Sequence, residues 1–176
     1  ACYNGGLGGQ WSTHIAARQG GRPATLTIDG GSIPASGGVN VATPTMNIVT
    51  FNAVSGTLVG VSGTLASSGD LSTYIFTRSG SGSVVNVPAG SAFTPTIGSQ
   101  RRANGTIIWA GKNDITSGGS LATVAEAVTA MVAYLEPKTR FLVLGHFADN
   151  YMVPGNSNRI RMDTENSRLA STYGNL

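Results

Sequence analysis

The chain has 176 residues and a net charge of +3, and only 11% of its residues are charged, against about 25% in an average globular protein. That length suffices for one core of ordinary size or two small ones, and 40% apolar residues argue against disorder. One cysteine (Cys2) and two distant histidines exclude an internal disulfide and a cysteine-based zinc site and offer no readable metal cluster, so no cofactor is expected; no basic stripe with interleaved aromatics supports nucleic-acid binding, and no apolar run reaches the length of a membrane span.

Residues 1–9, Ala-Cys-Tyr-Asn-Gly-Gly-Leu-Gly-Gly, read as the end of a strand running into a glycine loop. Residues 12–20 read as a helix, capped by Ser12 or Thr13 and stopped by Gly20 and Gly21. A glycine loop before a helix start presents unpaired N–H groups, although no Lys-Ser or Lys-Thr stands in the Walker position. Ala1 in place of an initiator methionine, with no visible signal peptide, reads as a processed or excised piece.

From Pro23 to about Asn104 the composition changes. Short alternating pieces at 24–28, 47–52, 57–61, 73–77 and 83–87 are separated by Gly, Ser and Pro clusters, the pattern of a small all-β unit with tight turns. The phrase Ser-Gly-Thr-Leu occurs at 55–58 and again at 62–65, too closely spaced for a solenoid, and reads as two hairpin-like pieces. Charges are few, with Asp29, Asp70 and Arg78 the only ones before Arg101-Arg102, which suggests a surface or binding module.

Residues 105–114, Gly-Thr-Ile-Ile-Trp-Ala-Gly-Lys-Asn-Asp, have the character of a buried strand (Ile107, Ile108, Trp109) that ends in a polar turn. Residues 119–136 follow as a helix with Leu121, Val124, Val128, Met131, Val132 and Leu135 on one face, ended by Pro137. Arg140 to Gly145 is a second apolar strand exiting into His146, and a last amphipathic helix spans about 158–172. Strand, helix, strand, helix implies a parallel sheet covered by helices. The expected architecture is therefore an α/β domain from 1–22 and 105–176, interrupted by a β-rich module at 23–104.

Asn4-Gly5-Gly6-Leu7-Gly8-Gly9 together with Gly111-Lys112-Asn113-Asp114 resembles the second and third sequence blocks of the SGNH (GDSL-type) hydrolases, in a subset with a β insertion after the second block. The resemblance implies a flavodoxin-like parallel sheet and serine esterase activity. It also implies an oxyanion hole, built here from Gly9 and Asn113, whose donors stabilise the charge growing on the ester carbonyl. Gln10 and Lys112 adjoin these donors and His146 stands at the mouth of its strand; all three are expected to contact substrate, an acylated carbohydrate or small ester. The family's Gly-Asp-Ser nucleophile segment and Asp-x-x-His segment do not occur in the chain, so neither the nucleophile nor the base is found. Ser12, His14, His146 and Asp149 are the only replacements in view.

In the flavodoxin-like order the first strand is central. Here the chain starts at what would be the end of the second, so another chain or segment is expected to complete the sheet. The alternative is a non-catalytic carbohydrate-binding or structural module of a phage tail or cell-surface protein, in which Tyr74, Phe76 and Phe93 hold sugars. Either reading favours a secreted, cell-surface or virion-associated protein.

Overall fold

The structure is a computed structural model that describes residues 3–42, 44–45, 48, 53–68, 70, 72–137 and 140–174. Cys2 and all of the expected strand 47–52 except Ile48 lie outside the described residues. In chain order the elements are α1 (Ser12–Gln19), β1 (Ala24–Ile28), β2 (Ser32–Ile33), β3 (Gly38–Ala42), β4 (Val54–Leu58), β5 (Val61–Ser67), β6 (Tyr74–Arg78), β7 (Val85–Asn86), β8 (Ser91–Pro95), α2 (Thr96–Arg101), β9 (Thr106–Ile108), α3 (Lys112–Thr116), α4 (Leu121–Tyr134), β10 (Phe141–Val143) and α5 (Ser157–Tyr173).

Six strands close into a barrel in the order β1-β3-β6-β5-β4-β8, and every neighbouring pair is antiparallel. Period-two alternation drives the closure. In β1, for example, Ala24, Leu26 and Ile28 turn inward while Thr25 and Thr27 do not. Leu26, Leu58, Leu65, Phe76 and Phe93 fill the interior, and the two phenylalanine rings meet edge to face at 6.2 Å. The rings have room because Gly56 and Gly63, paired across β4 and β5, carry no side chain. A Cβ at Gly56 would stand 2.4 Å from the Phe93 ring, and one at Gly63 2.5 Å from the Phe76 ring.

The two copies of Ser-Gly-Thr-Leu are thus the facing arms of one hairpin rather than two separate pieces. Its two-residue turn holds Val59 at φ 48° and Gly60 at φ 77°, the pair of left-handed residues that a type I′ turn requires. Phe76 and Phe93 are fully buried, which removes them as sugar-stacking residues. Arg78 is a staple: its guanidinium donates to the carbonyls of Pro34, Gly80 and Ser83, and so ties two loops to the end of β6.

The flavodoxin-like α/β fold and the resemblance to the SGNH hydrolases are not upheld. The main sheet is a closed antiparallel barrel with helices outside it, and among the described residues parallel pairing is confined to β9 and β10. The physical reason lies in the connections. Strands joined by short turns, as in the β4–β5 hairpin, pair antiparallel, whereas each parallel pair needs a long crossover. Only α4, between β9 and β10, supplies such a crossover among the described residues.

One face of the β9–β10 pair is covered. Ile108 and Ala110 pack with Ala16 of α1, Val124, Ala127, Val128 and Met131 of α4 and Leu169 of α5. The opposite face is open: Ile107 is 67% exposed, and its cross-strand partner Leu142, together with Trp109 and Leu144, is also exposed. The expectation of a strand buried at Ile107, Ile108 and Trp109 is therefore correct for Ile108 alone. Of residues 1–9, expected as the end of a strand running into a glycine loop, the described ones from Tyr3 onward form an irregular loop. Among the described residues no helix is long and apolar enough to cross a membrane.

Candidate functional site

Three loops meet beside the C-terminal ends of β9 and β10: the glycine loop ahead of α1, the turn from β9 into α3, and the exit from β10. The first two are joined by Asp114. Its Oδ2 accepts the Ser12 N–H at 2.8 Å and its Oδ1 accepts the Ser12 hydroxyl at 2.8 Å, with Ser12 and Asp114 both buried. A carboxylate receiving two donors in the interior fixes the start of α1 against α3. The helix accordingly begins with Trp11 as its cap residue, not with Ser12 or Thr13.

Gly111 makes the approach possible. Its φ of 116° is left-handed, and a Cβ there would stand 2.7 Å from Val124 and 3.2 Å from the His146 ring. Arg161 of α5 completes the frame by donating to the carbonyls of Asp114, Ile115 and Gly119.

Within this frame Asn113 is half-buried, and its Nδ2 donates to the Gln10 carbonyl at 2.9 Å. Gly9, one residue before that carbonyl, is exposed with φ 76°, and a Cβ there would meet nothing within 4 Å. Its demand for glycine is therefore one of backbone conformation. Gln10 is buried beside it. The structure thus places Asn113 against Gln10, next to Gly9 in the chain.

Lys112 points the other way along α3. Its Nζ donates to Asp149 Oδ2 at 3.2 Å and to the Phe147 carbonyl at 3.2 Å, and lies 5.9 Å from the Phe147 ring centre. Phe147 in turn stacks on Trp109 at 5.2 Å, so both exposed rings form a short aromatic shelf beside the lysine.

His146 is not paired with Asp149. The Asp149 carboxylate is occupied by the Tyr151 N–H and by Lys112, which hold it below the usual carboxylate range. The His146 ring is 5% exposed, and neither nitrogen has a hydrogen-bond partner. Burial pushes its pKa down, so the ring is neutral at physiological pH. Its backbone is clamped on both sides by Asn166, which accepts from the His146 N–H at 2.7 Å and donates to the His146 carbonyl at 2.8 Å. His14 is half-buried, and its Nδ1 accepts the Trp11 N–H at 3.4 Å. Neither histidine is thus set up as the base for Ser12, whose hydroxyl is committed to Asp114.

Sequence reasoning missed the Ser12–Asp114 lock, the Trp109–Phe147 shelf and Asn166. Only the first left a signal, the second polar residue of Gly-Lys-Asn-Asp. Among known proteins, no family model, no curated protein and no solved structure matches this chain.

Proposed function

We propose that the loops at 4–10 and 111–114 receive the acyl carbonyl of an acylated carbohydrate and polarise it for ester cleavage. The observation that carries this reading is the Asn113 Nδ2 bond to the Gln10 carbonyl at 2.9 Å. It uses one amide N–H to hold the side chain still and leaves the second free to meet an oxyanion. A donor immobilised before reaction stabilises developing charge without reorganising, and removing one such donor typically lowers turnover by about 10²–10³. Gly9 supplies the neighbouring backbone, and Lys112 with the Trp109–Phe147 shelf offers a polar and aromatic surface for the sugar.

The nucleophile is not Ser12, which is buried and bonded to Asp114. The protein by itself is accordingly expected to release no burst from p-nitrophenyl acetate and to resist a fluorophosphonate label. A label-sensitive burst would place a working nucleophile in the chain and overturn that assignment. The carbonyl-binding role is tested by titrating an O-acetylated oligosaccharide and its deacetylated form. The acetylated form should bind about tenfold more tightly, and Asn113→Ala should erase the difference.

A second reading is favoured by the exposed, stacked Trp109 and Phe147 rings. In it the shelf holds sugars with no carbonyl step. Equal affinity for both forms, lost in Trp109→Ala, would select it.

A further inference from the structure

A cavity of about 460 Å³ lies on the barrel side of α1, lined by the glycine loop (Tyr3, Asn4, Leu7), the start of β4 (Ser55), α2 (Ile97, Gln100) and Arg18. Its size is that of a small-molecule site, and its lining mixes apolar and uncharged polar groups around one cation. Arg18 stands in the last turn of α1 and is only 8% exposed. One arm of its guanidinium, Nη2, donates to the Gly5 carbonyl, while Nη1 has no hydrogen-bond partner. Among the described residues no carboxylate forms an ion pair with it.

A buried guanidinium cannot shed its proton, so it normally meets an anion or a full set of acceptors. Here desolvation pushes the Arg18 pKa down, and the unpaired arm keeps the cost of burial uncompensated.

We propose that this cavity binds a small organic monocarboxylate, with the carboxylate on the Arg18 guanidinium and the body of the molecule against Tyr3, Leu7 and Ile97. A single buried cation with one arm already held by Gly5 balances one negative charge, which fits a carboxylate better than a phosphate dianion. The site is separate from the Asn113 loops and does not rest on the function proposed for them.

The test is calorimetric titration of the full chain with glucuronate and with benzoate, using methyl glucoside and inorganic phosphate as comparisons. At least one carboxylate should bind, at least about tenfold more tightly than either comparison. Arg18→Gln should lose that binding. Because this change also removes the tether to Gly5, Ser55→Trp serves as a second variant: Ser55 is an exposed strand position on the cavity wall, so an indole there fills the space and leaves Arg18 in place. Ser55→Trp, with an unchanged circular dichroism spectrum, should lose binding too. Failure of both carboxylates to bind the folded wild type at up to about 10 mM would overturn the proposal, as would binding that survives Ser55→Trp or phosphate binding as tightly as the carboxylates.

Discussion

Gly56 and Gly63 show how a residue with no side chain can define a core. Each occupies the space beneath a phenylalanine ring, and a Cβ at Gly63 would also stand 2.5 Å from the Thr77 carbonyl, an atom held by the strand itself. The neighbours cannot give way cheaply, so Gly63→Ala overpacks the barrel and should lower stability by about 1–3 kcal/mol in urea denaturation. Gly80→Ala is the matched control: a Cβ there meets nothing within 4 Å, and the change should stay within about 0.5 kcal/mol. Equal effects at the two sites would refute the packing account. The repeated Ser-Gly-Thr-Leu was legible in the sequence, but its purpose was not, because the rings that fill those glycine gaps come from other strands, Phe76 from β6 and Phe93 from β8. Gly9 and Asn113 were singled out only through a resemblance that the fold does not uphold, and the commitment of Ser12 to Asp114 was not legible at all. That bond spans 102 positions and depends on how α1 meets α3.

At the scale of the element, β9 carries two adjacent isoleucines with opposite fates. Ile108 is 4% exposed and packs against α1 and α4, while Ile107 faces away from the helices. Ile108→Ala should therefore cost about 2–4 kcal/mol, and Ile107→Thr less than about 0.5 kcal/mol, as read from unfolding midpoints. Comparable losses would mean that both faces of the strand are covered. A run of apolar residues told of a strand but not of which face is packed, since a continuous run has no alternation to read. The helices expected at 12–20, 119–136 and 158–172 were more legible, although the caps expected at Ser12 or Thr13 gave way to Trp11 and the caps of the other two were not singled out. Ser120 caps α4 by accepting the Thr123 N–H, Asn156 caps α5 by accepting those of Asn158 and Arg159, and Gly20 at φ 107° ends α1. These are local chemistry and need no knowledge of the fold.

For the whole molecule, α1 is the shared element. Its Ala17 is buried with the barrel core and its neighbour Ala16 with the core of α4, β9 and α5, so one short helix is packed from both sides. At its C-terminal end Gly98 of α2 comes so near that an added Cβ would lie 1.9 Å from the Gln19 carbonyl. Losing either core strips one side of α1, and the two should open together. Amide exchange at Leu65 in the barrel and at Met131 in α4 should then report opening free energies within about 0.5 kcal/mol of each other. A clearly lower value at Met131 would show two units that open separately. Local glycine, proline and periodicity signals placed the three longer helices and the strands at 24–28 and 73–77, but the strand expected at 57–61 is broken by the turn at Val59 and Gly60, and β3 and β8 left no signal that was read. Long-range contacts decided that the strands between 24 and 95 close into an antiparallel barrel, that among the described residues parallel pairing stops at two strands, and that Asn113 is held against Gln10. Each of these rests on contacts between distant segments, where packing of rings into glycine gaps and pairing of buried polar groups outweigh any local preference.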